Sequence, residues 1–466
     1  MYRQNLTLYF LGIGGIGMSG IAELLWNLNY RVVGSDIADS DTLSHLRSLG
    51  IPVFLGHDAS RLPAIAPDVV VVSSAIAQDN PEILEAKRLG IPVIPRAVML
   101  AELMRLKYGI AVSGAHGKTT TTSMVAHVLL EAGMDPTVVL GGRLKETRRN
   151  ASLGKGSFIV VEADESDSSF LWLAPSIAVV TNLDNEHLNS YRDSFHVLQE
   201  AFRVFLEKVP FYGLCVYCAD DPNVLAVAER LDRRKVGYGL SQASQVRAWG
   251  VESRPFGCFA QLEAFGESLG ELVLKVPGVH NLKNALAAVA VGLELNIPYP
   301  TIARALASFE GIERRFEVRL SKPGLTVIED YAHHPTEILA TLQAFRAEFP
   351  EVRRRVVFQP HRFSRVYRLQ EQFTDCFAPD TDELILLPTY GAGEPYDSEG
   401  DGHRLFERIS AGGKTPCRFA STFDEAIGLL LEGITEPQAI IFLGAGDIHK
   451  LAAGFTDALS CASFVG

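Results

Sequence analysis

The sequence predicts an α/β protein made of three successive strand–helix units. Short β-branched strands alternate with stretches of helical spacing along most of the chain. Two glycine-rich turns each stand between such a strand and such a helix. The length, 466 residues with 47% hydrophobic, supplies two or three packed cores rather than one. Strand–helix alternation is the pattern of parallel sheets with helices packed on their faces.

In the first hundred residues the strands are Leu6–Phe10, Arg31–Val33, Asp68–Val72 and Ile91–Ile94. Between them lie Ile16–Asn29, Thr42–Leu49 and Pro81–Leu89, each with apolar residues at helical spacing and a Gly or Asn stop. A second cycle opens with a strand at Gly109, a glycine turn and a helix over Lys118–Glu131. It continues through strands Phe158–Val161 and Ile177–Val180. From Val236 to Val276 short strands and turns suggest an antiparallel annex. The third cycle follows Arg315, with strands Leu325–Ile328, Val356–Phe358, Leu384–Leu387 and Ala439–Leu443. The expected domains are therefore 1–106, 107–313 and 314–466.

Charge and composition narrow the function classes. With 43 basic against 55 acidic residues the net charge is −12, so the chain has no global attraction for nucleic acid or an anionic membrane. The N-terminal residues lead straight into the first apolar strand without the layout of a secretory signal. The longest apolar helical run, Ala285–Leu295, is too short to span a bilayer. Six scattered cysteines suit a reducing compartment. Cys215-Val-Tyr-Cys218 has no second pair to complete a zinc site and fits a half-buried strand better. The expectation is a cytoplasmic protein with no nucleic-acid partner and no membrane insertion.

The first strand runs into Gly12-Ile-Gly14-Gly15-Ile-Gly17, a G-x-G-x-x-G that opens a helix. Glycines let the backbone approach a diphosphate, and the helix N-terminus offers unpaired N–H groups. Asp36 closes the next strand, where a ribose-binding acid sits in such units. The motif alone does not separate a nicotinamide cofactor from another nucleotide diphosphate, and a glycine turn can also serve packing only.

The second turn is more specific. Gly114-Ala115-His116-Gly117-Lys118-Thr119-Thr120 follows a strand and begins a helix. Backbone amides in this arrangement cradle phosphates, Lys118 neutralises the β/γ charge, and Thr119 offers a hydroxyl to magnesium. Val112 stands at the first glycine position of the longer P-loop form, leaving G-x-x-G-K-T-T. The strand Phe158–Val161 then delivers Glu162-Ala-Asp-Glu-Ser-Asp167 at its carboxyl end. Hard oxygen donors beside a P-loop are what Mg2+ requires; alone, such a cluster would read as a solvated acidic loop. His187 follows the next strand and gains weight only from this company.

These motifs, with others further on, resemble the Mur ligases of bacterial cell-wall synthesis. The likeness covers nearly the whole chain. It rests on G-I-G-G-I-G-M-S-G at Gly12–Gly20, G-A-H-G-K-T-T-T at Gly114–Thr121, E-A-D-E-S-D at Glu162–Asp167 and H-N-L-K-N at His280–Asn284. R-R-F-E at Arg314–Glu317, D-Y-A-H-H-P-T-E at Asp330–Glu337, Q-P-H-R-F-S-R at Gln359–Arg365 and G-A-G-D-I at Gly444–Ile448 complete the series. The resemblance implies a Rossmann-like N-terminal domain that holds UDP, a central P-loop ATPase-type domain and a Rossmann-like amino-acid-binding C-terminal domain. It points to the alanine-adding branch. The implied activity is ATP-dependent joining of L-alanine to the lactyl carboxylate of UDP-N-acetylmuramate through an acyl phosphate.

Carried over by motif, Lys118, Glu162, His187 and Arg315 would be the catalytic residues, with Mg2+ on Thr119, Glu162 and His187. ATP would meet Gly114 to Thr120, Asn281 and Asn284 on the adenine side, Arg315 at phosphate and Asp330 at ribose. Gly12, Gly14, Gly15, Gly17, Ser35, Asp36 and Ser73 would bind the UDP-sugar. Tyr331, His333, Arg362 and Arg365 match positions associated with alanine; an arginine fork suits its carboxylate. Ala115 replaces the family's usual threonine, and Gln199-Glu-Ala-Phe202 lacks the lysine that several sibling ligases carry there. The expected state is a monomer or homodimer. Rival readings are the recycling ligase that adds a preformed tripeptide, a nicotinamide-dependent dehydrogenase and a non-catalytic nucleotide-binding regulator.

Overall fold

The computed structural model describes residues 6–73, 75–141, 151–378, 380–432, 434 and 437–462. Three sheets are present, and they fall into two compact units. Met1–Val251, Ala260–Val273 and Asn281–Phe309 form one; Glu252–Phe259, Leu274–His280 and Glu310–Gly466 form the other.

The first sheet contains β1 (Thr7–Leu11), β2 (Arg31–Asp36), β3 (Val53–Leu55), β4 (Val69–Val72) and β5 (Val93–Pro95) in the order β3-β2-β1-β4-β5. All its pairs are parallel. Successive side chains of a strand point to opposite faces. Leu8 and Phe10 accordingly join one core with Val32 and Val71, while Tyr9 and Leu11 join a second with Val33 and Val70. Burial on both faces explains why these strands are almost continuously apolar. The three expected helices are present as Ile16–Asn27, Asp41–Ser48 and Pro81–Arg88. Ser40 and Asn80 cap the last two with side-chain oxygens. The helices Arg61–Ile65 and Arg96–Met104 were not anticipated.

The second sheet contains β6 (Tyr108–Ser113), β7 (Thr137–Val139), β8 (Ala151–Ser152), β9 (Phe158–Glu162), β10 (Ile177–Val180), β11 (Leu214–Cys218) and β12 (Lys235–Gly239). β13 (Val246–Arg254), β14 (Gly257–Ala264) and β15 (Glu267–Leu274) complete it, in the order β15-β14-β13-β12-β11-β10-β6-β9-β7-β8. The expected annex is present as β13–β15, neighbouring strands joined by two-residue connections, as antiparallel hairpins are. It continues the main sheet, because β12 and β13 pair in parallel, Tyr238 opposite Val246. One expectation needs correction. Cys215 and Cys218 lie on β11, which is buried on both faces rather than half-buried, because helices cover a central parallel strand from either side.

The third sheet contains β16 (Glu317–Lys322), β17 (Leu325–Asp330), β18 (Arg353–Phe358), β19 (Glu383–Leu386), β20 (Cys417–Phe419) and β21 (Gln438–Leu443). Its order is β16-β17-β21-β18-β19-β20, parallel except for the β16/β17 hairpin. The architecture is thus three-domain α/β. In open α/β sheets ligands sit at the carboxyl ends where strand order reverses. Those ends carry Gly12–Gly17 after β1, Gly114–Lys118 after β6 and Gly444–Asp447 after β21. Among the described residues no helix is long and apolar enough to cross a membrane.

Candidate active site

The glycine turn after β1 is tied to β2. The amides of Gly12 and Ile13 donate to the Ser35 carbonyl at 2.8 and 3.1 Å, and Gly14 N–H donates to Asp36 Oδ2 at 2.8 Å. Asp36 therefore braces the turn from the position where a ribose acid was expected. Ser35 is placed differently: it is fully buried, and its hydroxyl donates to Glu82 Oε2 at 2.8 Å. Glu82, also fully buried, accepts the Tyr9 hydroxyl at 2.7 Å and sits 2.9 Å from His57 Nδ1. Ser35 shapes the turn through its carbonyl, while its side chain belongs to this internal network.

The turn after β6 is built on close approach. Gly114 adopts φ +133° and Gly117 φ +78°, conformations L side chains rarely take. A Cβ on Gly114 would strike Thr181 Oγ1 and lie 2.9 Å from the Asn182 carbonyl oxygen; one on Gly117 would lie 2.7 Å from Asn284 Oδ1. Asn182 clamps the loop by accepting the His116 amide at 2.8 Å and donating to its carbonyl at 2.9 Å. Asn284 accepts the Thr121 hydroxyl at 3.1 Å and donates to Asn281 Oδ1 at 3.3 Å. Both asparagines are buried, so the second glycine turn and the H-N-L-K-N helix meet here. Ala115 removes no part of this backbone cradle.

Lys118 opens the helix Lys118–Glu131 and lies back over the loop. Its Nζ donates to the Gly114 carbonyl at 2.6 Å and the Ala115 carbonyl at 3.0 Å, and is 2.8 Å from Glu165 Oε2. Burial works against the charge, but the carboxylates of Glu165, Asp164 and Glu162 outweigh it and hold the ammonium above its ordinary value. Burial pushes Glu165 up to about 7, Asp164 adds to the rise, and Lys118 opposes it.

The acidic strand end after β9 spreads its carboxylates. Glu162 Oε2 accepts Gly141 N–H at 2.8 Å, and Asp164 Oδ1 accepts Ser166 N–H at 3.0 Å. Burial raises Asp164, but Lys118, the Ser166 bonds and Arg96 carry it below the usual carboxylate range. Glu162 and Asp164 line a cleft of about 250 Å³ with Gly15, Gly17, Ser73 and Arg96, which joins the first glycine turn to the acidic strand end. His187 has φ +57° and begins a 3-10 turn whose Tyr191 hydroxyl donates to the Glu165 carbonyl and whose Ser190 hydroxyl donates to Ser166 O at 2.6 Å. That segment is thereby fastened to the acidic loop. The glycine cradle suits phosphates, and the hard oxygens of Thr119, Glu162 and Asp164 suit Mg2+.

In the second unit Arg314 and Arg315 part company. Arg314 Nε donates to buried Glu329 at 2.6 Å and its Nη2 donates to the Gly444 carbonyl at 2.9 Å, a bracing role. Arg315 lies over the Tyr331 ring at 5.2 Å and 3.7 Å from Glu337. Asp330 accepts the amides of Phe316 and Ala332, both at 2.7 Å, so its carboxylate pins the turn that carries Arg315. His333 packs edge-on to Tyr331 at 5.5 Å and to His361 at 5.7 Å. His334 is buried and caps the helix Pro335–Glu348. Arg365 donates to the His361 carbonyl at 3.2 Å, while Arg362 is exposed at φ +70°. His361 stacks on Tyr390 at 5.6 Å; burial chiefly, then His333 and the arginines, lower it to about 3. Tyr331, His333, Arg362 and Arg365 thus gather at one end of the third sheet.

Sequence reading missed Glu165, Asn182, Arg96 and His361. Glu165 and His361 lay inside quoted motifs without a role; Asn182 ends a strand, and only Arg96 had no motif signal.

Comparison with known proteins covers all three sheets. The Mur ligase family catalytic domain matches residues 7–108, the Mur ligase middle domain 112–292, and the Mur ligase glutamate ligase domain 314–446. The chain is 48% identical over 455 residues to UDP-N-acetylmuramate–L-alanine ligase of Desulfatibacillum aliphaticivorans, covering 98% of this chain and 99% of that one. It is 49% identical over 448 residues to the enzyme of the same name from Myxococcus xanthus, covering 96% and 93%. The crystal structure of UDP-N-acetylmuramate-alanine ligase MurC from Thermotoga maritima superposes with a TM-score of 0.83 at 31% identity, covering 98% of this chain and all of that one.

Proposed function

The chain belongs to the Mur ligase family, and on that premise we propose that it joins L-alanine to the lactyl carboxylate of UDP-N-acetylmuramate, driven by ATP. The products are UDP-N-acetylmuramoyl-L-alanine, ADP and phosphate, a step of peptidoglycan precursor synthesis. The observation that carries the reading is the cleft shared by the first glycine turn and the acidic strand end beside Lys118. It offers one path from a UDP diphosphate to the γ-phosphate of ATP.

A carboxylate is a weak electrophile, so its oxygen first attacks the γ-phosphorus and ADP departs. The neutral amine of alanine then adds to the carbonyl carbon of the acyl phosphate, and phosphate leaves carrying one carboxylate oxygen. Lys118 and the amides of Gly114–Thr119 neutralise the transferring phosphoryl group. Thr119, Glu162 and His187 would hold Mg2+, which when bound lowers the repulsion between phosphate and carboxylate oxygens. Asn281 and Asn284 serve the adenine side, Arg315 the ATP phosphates and Asp330 the ribose. Gly12, Gly14, Gly15, Gly17, Asp36 and Ser73 hold the UDP-sugar, with Ser35 acting through its carbonyl. Tyr331, His333, Arg362 and Arg365 receive alanine.

We set the domain limits at 1–106, 107–313 and 314–466. The proposed setting is the cytoplasm, in keeping with free thiols at Cys215, Cys218, Cys258, Cys376 and Cys417, and the working state a monomer or homodimer. The mechanism is tested with UDP-N-acetylmuramate labelled with oxygen-18 in the lactyl carboxylate. Label in the released phosphate supports the acyl phosphate; unlabelled phosphate with amide product rules it out.

A further inference from the structure

Each carbonyl from Gly114 to Gly117 is taken up by a donor of this chain. Lys118 Nζ donates to the Gly114 and Ala115 oxygens at 2.6 and 3.0 Å, and the Thr121 amide to that of Gly117 at 2.9 Å. The His116 oxygen is held twice, by Thr181 Oγ1 at 2.7 Å and by Asn182 Nδ2 at 2.9 Å. Two amides are engaged by the same strand end. Ala115 N–H donates to the Asn182 carbonyl at 3.1 Å and His116 N–H to Asn182 Oδ1 at 2.8 Å. Among the described residues the amides of Gly117, Lys118 and Thr119 have no acceptor, so these are what the turn presents to a ligand.

The double hold on His116 decides which way the next amide points. A trans peptide sets its C=O and N–H on opposite sides, so an oxygen drawn toward Thr181 and Asn182 turns the Gly117 N–H away from them. The reversed peptide would aim its oxygen at the phosphates and repel them. Gly117 itself does not forbid the reversal, since glycine adopts φ of either sign with similar ease and here takes +78°. The choice is made from outside, by two donors just past β10. Gly114 serves the same arrangement: a Cβ there would collide with Thr181 Oγ1, so glycine lets the hydroxyl cross to His116. Thr181 is buried, and water does not compete for its hydrogen bond.

We propose that Thr181 and Asn182 are positioning residues that latch the His116–Gly117 peptide with its N–H toward the ATP phosphates. The inference rests on the reading of this turn as the ATP site. Both side chains act through the His116 carbonyl and not by contact with nucleotide.

The test measures ADP and adenosine binding to the intact protein and to Thr181→Val, Thr181→Ser and Asn182→Ala, with a denaturant melt of each as the measure of folding. Thr181→Val removes the donor and keeps the outline of the side chain. Loss of one neutral hydrogen bond predicts ADP affinity about three- to tenfold lower. Asn182→Ala should lose more, because it also frees the His116 amide. Thr181→Ser restores the hydroxyl and should bind ADP within about twofold of the intact protein. Adenosine, lacking phosphate, should keep its affinity throughout. Unchanged ADP affinity in either Thr181→Val or Asn182→Ala overturns the latch and leaves the nucleotide site standing. So does an equal loss for adenosine, or a loss in Thr181→Ser as large as in Thr181→Val. Failure of the unaltered protein to bind ADP overturns the ATP reading as well. Should the variants fold poorly, the Gly117 amide proton of the unaltered protein decides: ADP should move it downfield and adenosine should not, and an unmoved signal rejects the latch.

Discussion

Lys118 and Glu165 form a buried ion pair, Nζ to Oε2 2.8 Å, across the mouth of the second glycine turn. Glu165 is only 3% exposed, so the pair must stay matched. Removing one partner of a buried pair costs about 3–5 kcal/mol. Lys118→Ala should therefore lose both activity and stability. The double variant Lys118→Ala/Glu165→Gln should regain most of the stability and none of the activity. Denaturant melts beside phosphate-release assays separate the two effects; recovery of activity in the double variant would deny Lys118 its role at the phosphates.

Gly114→Ala should abolish tight nucleotide binding. The added methyl collides with Thr181 and the strand end at Asn182, and φ +133° is strained for alanine. Calorimetric titration should show ATP affinity falling more than tenfold while UDP affinity is kept, since that turn lies after a different strand.

Asp330 acts as a staple for the turn Arg314–Phe316, whose Arg314 and Phe316 have φ +59° and +45°. Asp330→Ala leaves two amides without their acceptor, a loss of about 3–6 kcal/mol for two bonds to a charged group. The expected outcome is a lower denaturation midpoint with a further fall in turnover as Arg315 loses its fixed position. Unchanged stability and turnover in Asp330→Ala would deny the carboxylate this stapling role.

His361 sets a pH dependence. Its folded-state value is lowered from 6.5 to about 3, chiefly by burial. Between those values the unfolded chain binds the proton and the folded chain does not, so stability falls as pH drops through this window. Replacing His361 by glutamine should flatten the loss between about pH 6 and 4. In the unaltered protein the His361 ring signals should still report the neutral form at pH 5.

Much of this was legible from sequence where local chemistry and tertiary packing agree. The helix Lys118–Glu131 and strand Ile177–Val180 were read to the residue, because a glycine turn and a buried strand leave sharp marks. Edge elements were not: β16 has no buried residue and no clean alternation from Glu317 to Lys322, and β20 is three half-buried residues. The annex was legible as short strands and turns, but its junction was not: strand periodicity fixes which faces are buried and not the direction of the neighbour, here parallel between β12 and β13. At the site, identity was visible and orientation was not. Nothing local says that the Ser35 hydroxyl turns to Glu82, 47 residues away, or that Arg96 enters the same cleft as Gly17. Such pairings arise only when separate elements pack together.

The most direct measurement of the central claim is phosphate release by the purified protein with ATP, magnesium and UDP-N-acetylmuramate. L-alanine and a preformed tripeptide are supplied in parallel, with Lys118→Ala as the blank. The account predicts release that depends on L-alanine, matches amide product one for one and vanishes in Lys118→Ala. Release with the tripeptide alone, or alanine-dependent release that survives in Lys118→Ala, would contradict it.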